Sequence, residues 1–497
     1  MNHKRRSTIK DQSAPHLPLL QAEKYRSFMA EEEFEQLQNE ISKPLPPALR
    51  INLLRHDVEN FKAQLHRIYG WDFVPIPFCS SGLRVTTPQA TLSNTIEHRM
   101  GDFYIQEAAS MLPAQLFDYA ASTRPLILDM AASPGGKTIQ LADLSQDKGF
   151  IIANDSSRAR ISALRFVLSK WGVIKQAITN LPGEVFGSIL PETFDLVLLD
   201  APCSMDGLRT SESHATRPIS EKEQFRLASR QTALLESAVH AARVDGQIVY
   251  ATCTLAVEEN EVVLAKILEK YAGQVKMVDV HNQTGVNAPA LLEYQGKSFP
   301  SEIKYALRLW PHLYHTAGFF TARLKKTDHI PHLEPRSISR HSTITFQPMD
   351  AKEKSEIKTL MKDQLGFEVD IFYDSYDAEI TRSRETFWIR PRQTMLDPLR
   401  LPSISSGLPM AHWEGDNLIP AHEFCARFGM QFTSEKVMLT AEQVQHWVLG
   451  EDIHEATSNQ FPRGSIVMVT DPWKRNLGRG KVLAGKLKNL LPRRLFS

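Results

Sequence analysis

The sequence predicts an α/β protein whose central region is a parallel sheet covered by helices on both faces. Between about residues 124 and 326, short apolar runs typical of buried strands alternate with amphipathic stretches typical of helices. Strands separated by helices cross over the sheet, so neighbours along the chain run parallel. The predicted strands are 125–130, 150–154, 174–179, 194–200, 247–252, 275–280 and 318–324, and the predicted helices are 161–171, 228–244 and 257–271.

The flanking regions have a different pattern and predict three further domains. Residues 1–120 are mixed, with an acidic helix at 31–41, a strand at 48–54 and a helix at 103–116 leading into the core. A polar stretch at 329–342 reads as a linker, and a break rich in Pro, Ser and Gly spans 391–409. The expected domain limits are therefore 1–120, 121–328, 329–397 and 398–497.

Composition excludes several classes of protein. The chain has 497 residues, a net charge of +1 and 42% hydrophobic residues, which is ordinary for a globular protein. It holds no run of about 18 apolar residues, and its N-terminus lacks the apolar segment of a secretory signal, so no membrane association is expected. Four cysteines are too few for a disulfide framework in so long a chain. We expect a monomer with free thiols in a reducing cytoplasm.

Two basic segments are local candidates for contact with a polyanion. Neither contains an acidic residue, and clustered positive charge attracts a phosphate backbone. They comprise Lys4, Arg5, Arg6 and Lys10 near the N-terminus, and Lys474, Arg475, Arg479, Lys481, Lys486, Lys488, Arg493 and Arg494 near the C-terminus.

A glycine-rich loop follows the first predicted strand and precedes a helix. Small residues let a ligand approach the backbone, and the helix N-terminus offers free N–H groups. An acid at the end of the next strand, Asp155, is placed to bind ribose hydroxyls. The loop residues predicted to bind a cofactor are Ala131, Ala132, Ser133, Pro134, Gly135, Gly136 and Lys137.

Two cofactors fit this loop. Residues 131–138 differ from a Walker A loop only in Ala131, and 196–200 resemble a Walker B strand, so a P-loop nucleotidase dependent on Mg²⁺ is an alternative. The tight Pro-Gly-Gly turn, the position of Asp155 and the Pro202-Cys203 pair close after Asp200 favour a nucleoside cofactor such as S-adenosylmethionine.

Two cysteines follow two different predicted strands. Cys203 comes three residues after Asp200, and Cys253 comes directly after 247–252. Because parallel strands end at one edge of a sheet, the two thiols can meet over one substrate. A thiolate can add to an electron-poor ring, and a second group can help to expel it. Cys79 and Cys425 are interpreted as buried small apolar residues.

The motifs at these positions resemble the RNA cytosine-C5 methyltransferases of the NOL1/NOP2/Sun family. The resemblance rests on Asp129–Thr138, Asp200-Ala201-Pro202-Cys203-Ser204, and Thr252-Cys253-Thr254 followed by Glu258-Glu259-Asn260. Residues 101–107 and 318–320 look like flanking family segments. The ending 485–492 is similar to the bacterial branch that acts on 16S ribosomal RNA, whose C-terminal module is PUA-like.

The resemblance implies a fold, a reaction and residue roles. The fold would be a Rossmann-like S-adenosylmethionine-dependent core, with an N-terminal α+β domain that contacts RNA and a C-terminal PUA-like β-rich domain. Cys253 would add to C6 of cytosine, and Cys203 would help release the product. Asp200 would lie near the cofactor and hydrogen-bond the cytosine edge. The substrate would be ribosomal RNA or the small ribosomal subunit, and Arg50 and Asn52 are candidate RNA contacts.

Two departures from the family pattern and one rival function accompany this interpretation. The turn after the third strand carries Pro182 where the family often has an Asp that contacts adenosine, and Asn180 could substitute for it. Met205-Asp206-Gly207 replaces the usual Gly-Glu/Thr-Gly after Pro-Cys-Ser. Glu258 and Glu259 are expected to complement the dipole of the following helix. The rival function is an RNA-binding assembly factor without catalysis.

Overall fold

The structure of the chain is a computed structural model. It describes residues 21–88, 90–209, 219–334, 338, 344–396, 399–415, 417–454 and 460–495. The basic segment at 1–10 lies outside the described residues, as does most of the predicted linker beyond residue 334. In the described part of the chain, no helix is both long and apolar enough to cross a bilayer.

The N-terminal region contains a four-stranded antiparallel sheet. Its strands are β1 (Ala48–Ile51), β2 (Phe73–Ile76), β3 (Cys79–Val85) and β4 (Phe103–Ile105), in the order β2-β3-β1-β4. Its helices are α1 (Glu31–Ile41), α2 (Val58–Tyr69), α3 (Ile96–Met100) and α4 (Leu112–Gln115). The bounds of α1 are those predicted for the acidic helix.

The predicted helix at 103–116 is wrong in its first half. Phe103, Tyr104 and Ile105 pair antiparallel with Ile51, Arg50 and Leu49, which makes this segment an edge strand. A 3-10 turn, Ala109–Met111, and α4 follow it. The local apolar pattern is compatible with either structure, and strand pairing with β1 decides between them.

The central sheet has nine strands and carries the parallel core that the sequence predicts. Its strands are β5 (Leu126–Asp129), β6 (Phe150–Asn154), β7 (Gln176–Thr179), β8 (Phe194–Asp200), β9 (Ala242–Thr252), β10 (Val275–Val278), β13 (Leu307–Leu309), β14 (Phe319–Lys326) and β18 (Ser405–Ser406). The order is β10-β14-β9-β8-β5-β6-β7-β18, with β13 also paired to β14. β5 to β9 are mutually parallel, whereas β14 runs antiparallel between β9 and β10.

Two apolar cores cover the two faces of this sheet. Val197 and Leu199 of β8 belong to one core cluster, and Leu196 and Leu198 belong to the other, as alternation along a strand requires. The helices are α5 (Gly136–Leu144), α6 (Ile161–Trp171), α7 (Phe186–Ile189), α8 (Glu221–Ala241), α9 (Glu261–Lys270), α10 (His281–Thr284) and α11 (Pro311–Tyr314), and a hairpin comprises β11 (Glu293–Tyr294) and β12 (Lys297–Ser298).

The C-terminal part contains two more sheets. The first has β15 (Gln347–Pro348), β16 (Ala378–Ser383), β17 (Thr386–Pro391), β19 (Leu408–Glu414) and β20 (Asn417–Pro420), so it takes strands from both sides of residue 397. The second has β21 (Lys436–Met438), β22 (Ile466–Thr470), β23 (Asn476–Leu483) and β24 (Lys486–Asn489). The helices are α12 (Ala351–Leu365), α13 (Ile371–Asp374), α14 (Gln393–Leu396), α15 (His422–Phe428) and α16 (Ala441–Trp447). A PUA-like character stays a prediction.

The prediction that Arg50 and Asn52 contact RNA is wrong, because neither side chain is accessible. Both side chains are fully buried. The Arg50 guanidinium is ion-paired with Asp143 and donates to the carbonyl oxygen of Gly136 at 3.0 Å. The Asn52 amide donates to the carbonyl oxygens of Gly101 and Trp171. These two side chains join the N-terminal region to the central core.

The C-terminal basic segment is only partly available to a polyanion. Arg475 is ion-paired with Asp471 and Glu97, and Arg479 is buried. Lys486 pairs with Asp452 at 2.6 Å. Lys474, Lys488 and Arg493 are exposed, and a contact of these three residues with RNA stays a prediction.

Candidate active site

The chemistry-bearing residues lie at the carboxyl edge of the central sheet. β5 ends at Asp129 and β8 ends at Asp200, and Asp200 lies opposite Ala251 in the parallel register of β8 and β9. Cys203 follows three residues after the end of β8, and Cys253 follows directly after β9. This edge is where ligands bind in open parallel sheets.

The two thiols lie side by side, as the strand ends predict. The Sγ atoms of Cys203 and Cys253 are 3.0 Å apart, and both cysteines are free and partly exposed. The hydrogen bond to Cys253 and burial raise the pKa of Cys203 well above its usual value. Cys203 therefore keeps its proton and can stabilise a thiolate at Cys253. Cys79 and Cys425 are buried, as predicted.

A buried network fixes both cysteine loops, and its central residue was misinterpreted from the sequence. Glu259 is fully buried in the 3-10 turn Val257–Glu259 and does not serve the dipole of α9, which begins at Glu261. Its carboxylate accepts from the backbone N–H of Ser204 at 3.0 Å and from the Gln231 amide at 2.8 Å. Asn260 donates to the carbonyl oxygen of Thr254 at 2.9 Å. Through these hydrogen bonds, Glu259 and Asn260 hold the loops that carry Cys203 and Cys253 in place.

The loop after Cys203 packs against the segment before β14. The N–H of Gly318 donates to the carbonyl oxygen of Gly207 at 2.7 Å, and a Cβ on Gly207 would lie 2.6 Å from the carbonyl oxygen of Gly318. Met205 adopts φ = 57°, a left-handed conformation that favours glycine, and its side chain is 45% exposed. The departure at Met205 therefore places a large side chain beside the thiols at a cost of about 1 kcal/mol in backbone strain.

A cavity of about 250 Å³ lies against the glycine-rich loop. Asp129 and Asp200 line it, and so do all the predicted loop residues except Gly135. Those loop residues are Ala131, Ala132, Ser133, Pro134, Gly136 and Lys137. Gly135 has φ = 119°, and a Cβ on Gly136 would lie 2.8 Å from the Tyr104 ring, so both positions require glycine. The loop is thus shaped for close approach of a ligand.

The walls of this cavity suit a cationic ligand. Burial raises the pKa of Asp129 to about 7, and its Oδ1 atom is buried without a hydrogen-bond partner among the described residues. The methionine end of S-adenosylmethionine carries an ammonium, which would donate a hydrogen bond to that oxygen, and a sulfonium, whose positive charge the carboxylates would attract. The residues present therefore fit the predicted cofactor.

Lys137 is paired with a carboxylate of the site. Its Nζ atom lies 2.6 Å from Oδ2 of Asp200. Burial lowers the pKa of Lys137, but the charge and hydrogen bond of Asp200, together with other nearby acids, outweigh burial and leave that pKa raised. Lys137 therefore stays charged and orients Asp200 at the cavity wall.

Asp155 and Asn180 lie together beyond this cavity. Asp155 is buried, and its carboxylate accepts from the backbone N–H groups of Ser133 and Ser157 at 3.2 and 2.8 Å. The Asn180 amide donates to the carbonyl oxygen of Asp155 at 2.6 Å, whereas Pro182 is exposed. Asp155 supports the glycine-rich loop, and ribose binding by Asp155 or adenosine binding by Asn180 stays a prediction.

A second cavity, of about 350 Å³, lies next to the first. Cys253 and Phe319 line it, together with Met205, Arg209 and the Leu45-Pro46-Pro47 segment. Glu107 and Ser110 line both cavities, so the two cavities adjoin. The arrangement has room for a donor in one cavity and a flat acceptor beside Cys253 in the other.

Comparison with known proteins agrees with this geometry. Residues 119–325 match the family model for the 16S rRNA methyltransferase RsmB/F, and residues 17–108 match that for the N-terminal domain of 16S rRNA methyltransferase RsmF. Similar curated proteins carry the name ribosomal RNA small subunit methyltransferase F. Those of Cronobacter sakazakii and Shewanella sp. (strain MR-4) are each 32% identical over 91% of this chain, covering 90% and 92% of their own lengths.

Fold, site and relatives together define an S-adenosylmethionine-dependent methyltransferase. The P-loop alternative is wrong, because residues 119–325 match the family model of an rRNA methyltransferase. Within that class, the chain belongs to the 16S rRNA methyltransferase RsmB/F family.

Solved structures show the same core. A methyltransferase homologue from Pyrococcus horikoshii is 30% identical with a TM-score of 0.52, covering 62% of this chain and 97% of that one. NSun6 from the same organism, solved with SFG, shares the fold at 22% identity and a TM-score of 0.52, covering 62% and 98%.

Cofactor affinity is expected to rise with pH because of Asp129. Its pKa of about 7 means that the carboxyl is largely protonated in the free protein at pH 6. A neutral carboxyl cannot pair with the cofactor ammonium, so binding strengthens as the proton leaves. Calorimetry should show roughly fivefold tighter binding at about pH 7 than at about pH 6, a range in which an α-ammonium with a pKa of about 7.7–8.0 stays mostly charged. Asp129→Asn should bind with no such dependence, and a flat profile in the wild type would contradict the assignment.

Proposed function

We propose that this chain transfers a methyl group from S-adenosylmethionine to C5 of a cytosine in 16S rRNA, with Cys253 as the nucleophile. The observation that carries the proposal is the pair of sulfur atoms 3.0 Å apart, with Cys253 on the wall of a cavity that shares Glu107 with the cofactor cavity. The names of the curated relatives support ribosomal RNA as the class of substrate.

The chain's own groups account for the difficult part of the reaction. C5 of cytosine is a poor nucleophile until a thiolate adds to C6, which makes C5 enamine-like. Cys253 makes that bond, and the hydrogen bond from Cys203 stabilises its thiolate beforehand. The bound cofactor supplies an electrophilic methyl group. Loss of the C5 proton to solvent then re-forms the C5=C6 double bond and expels Cys253 as a thiolate, which the Cys203 thiol stabilises by a hydrogen bond.

The second cavity supports recognition of an unpaired base. It is lined by Phe319, by Met205 and by two prolines, which suits a flat base that presents the face of its ring to the Cys253 sulfur. A cytosine in a stem cannot reach it, so the base must be unpaired or flipped at a cost of a few kcal/mol. Backbone contacts elsewhere, of which Lys474, Lys488 and Arg493 are candidates, offset that cost. We infer that the protein acts as a monomer in the cytoplasm, where ribosomal RNA is available.

The test is methyl incorporation from labelled donor into ribosomal RNA and into the small ribosomal subunit, followed by mapping of 5-methylcytosine by bisulfite sequencing. We expect a single modified cytosine in 16S rRNA and no labelling of 23S rRNA. RNA binding without incorporation into either 16S substrate would instead indicate an assembly factor and would reject the enzymatic proposal.

A further inference from the structure

A third cavity, of about 420 Å³, is lined by residues of both the central sheet and the five-stranded sheet. Ile152 of β6 and Ala177 of β7 line it, and so does Arg390 of β17. None of its lining residues lines the cofactor cavity or the cavity beside Cys253. Its volume lies within the range of small-molecule sites, roughly 300–1,000 Å³. This cavity is therefore separate from the active site and large enough for a ligand of its own.

The Arg390 guanidinium is a buried cation at the wall of this cavity. Arg390 is only 4% exposed, and its Nε atom has no hydrogen-bond partner among the described residues. Glu379 lies directly opposite on β16, but its Oε1 accepts from the backbone N–H of Gln393 at 3.0 Å. Burial, which the charge of Glu379 only partly opposes, lowers the pKa of Arg390 to about 10, so the group is charged at neutral pH. A buried charge of this kind favours an anionic ligand.

An aromatic ring fixes the plane of this guanidinium. The Cζ atom of Arg390 lies 3.6 Å from the centre of the Phe346 ring, and Phe346 lines the same cavity. Trp388 meets Phe346 edge to face, with 5.9 Å between the ring centroids. A stacked guanidinium uses its face for the ring and keeps its N–H donors in its own plane. The donors of Arg390 thus remain available for a planar, bidentate contact.

Two neighbouring side chains also carry donors that lack an acceptor. Nε1 of Trp388 and Oγ1 of Thr381 are buried without a hydrogen-bond partner in the described part of the chain. Thr381 lies opposite Trp388, and Trp388 is two residues from Arg390, so the three side chains share one face of the sheet. Most buried polar atoms in folded proteins have a partner. The excess of donors on this face favours a ligand rich in acceptor oxygens.

Charge and lining together favour an organic phosphate. Arg400 also lines the cavity, where its side chain is exposed. Two guanidinium groups match a phosphate monoester, which carries nearly two negative charges at neutral pH and accepts bidentate hydrogen bonds. A carboxylate would neutralise only one of them. The remaining apolar lining suits a ligand whose organic part is largely apolar, and it comprises Ile152, Ala177, Leu399 and Leu401.

We propose that this cavity is a second ligand site, which binds a phosphate monoester through Arg390 and Arg400 and packs the apolar part of that ligand against Leu399 and Leu401. Arg390 supplies the buried, preoriented contact, and Arg400 supplies a second charge at the exposed side. The site takes no part in methyl transfer, so the inference does not rest on the proposed function.

The experiment measures binding to the full chain by calorimetry, with phenyl phosphate as the probe. Inorganic phosphate presents the anionic group alone, phenol presents the apolar part alone, and benzoate replaces the phosphate by a carboxylate. Because both parts of the ligand contribute, phenyl phosphate should bind at least about tenfold more tightly than each of the other three. No binding of phenyl phosphate at millimolar concentration, or equally tight binding of benzoate, would overturn the proposal.

Replacement of Arg390 by methionine locates the binding. Arg390→Met keeps the apolar bulk but removes the donors, so the affinity for phenyl phosphate should fall at least about tenfold. The matched control is Arg384→Met, an exposed position in the turn between β16 and β17, which should bind as wild type. Phenyl phosphate should raise Tm of the wild type and of this control but not of Arg390→Met. Wild-type affinity in Arg390→Met would overturn the assignment.

A further variant covers loss of folding in Arg390→Met. Arg400 is exposed, so Arg400→Met leaves the cores intact, and its cofactor affinity should equal that of the wild type. Its affinity for phenyl phosphate should fall about threefold, because one of the two cationic partners is missing. An unchanged affinity in Arg400→Met, beside an Arg390→Met that does not fold, would reject the site.

Discussion

Replacement of Cys253 by alanine is expected to abolish methyl transfer, with a loss on the order of 10⁴-fold or more. The variant has no group that can add to C6, so C5 stays a poor nucleophile however well donor and acceptor are placed. Cofactor affinity should stay within about twofold of wild type, because Cys253 lines the second cavity and not the cofactor cavity. Labelled methyl incorporation and calorimetry measure the two quantities on one preparation.

The matched control is Cys425→Ala. Cys425 is also a free cysteine, but it is buried in the C-terminal core among Phe424, Phe428 and neighbouring apolar side chains. Its removal should cost some stability and leave methyl transfer close to wild type. Substantial activity in Cys253→Ala would mean that another group attacks the ring.

Replacement of Glu261 by alanine is expected to cost about 3–5 kcal/mol of folding stability. Glu261 and Arg308 form a fully buried bidentate ion pair, with Nε–Oε1 and Nη2–Oε2 distances of 2.9 and 2.6 Å. Without Glu261 the guanidinium stays buried and uncompensated. Arg308 also donates to the carbonyl oxygen of Leu255 at 2.7 Å, two residues beyond Cys253, so the damage should extend to the nucleophile loop.

Denaturant unfolding measures this loss, and the same helix offers the control. Glu269 lies on α9 with Glu261 but is exposed, so Glu269→Ala should change stability by less than about 0.5 kcal/mol. Replacing Glu261 and Arg308 together by apolar residues of similar size should restore much of the stability, because no unpaired charge is then left buried. Equal small losses in Glu261→Ala and Glu269→Ala would contradict the buried pair.

The core of the fold was predictable because its signals are local. β6 and β8 have the predicted bounds, and α6 covers the predicted 161–171. The strand at 103–105 was not predictable, since its partner β1 lies some fifty residues earlier and the local apolar pattern also fits a helix. Tertiary pairing, and not propensity, decides such segments.

The site was predictable where topology alone determines proximity. Cys203 and Cys253 meet because two adjacent parallel strands end at one edge of the sheet. The buried roles of Arg50 and Glu259 were not predictable, because their partners Asp143 and Ser204 are distant in sequence and a charged residue is ordinarily expected at the surface. Glu107 lines two adjoining cavities, and the sequence alone does not reveal which residues line a cavity.

The central chemical claim is a transient bond between Cys253 and C6 of the target base, which Cys203 helps to break. Incubation of Cys203→Ala with 16S rRNA and the methyl donor tests it most directly. A protein–RNA adduct should accumulate and survive a denaturing gel, and it should vanish in the double variant Cys203→Ala/Cys253→Ala. No adduct in Cys203→Ala, or one that persists without Cys253, would contradict this division of labour between the two thiols.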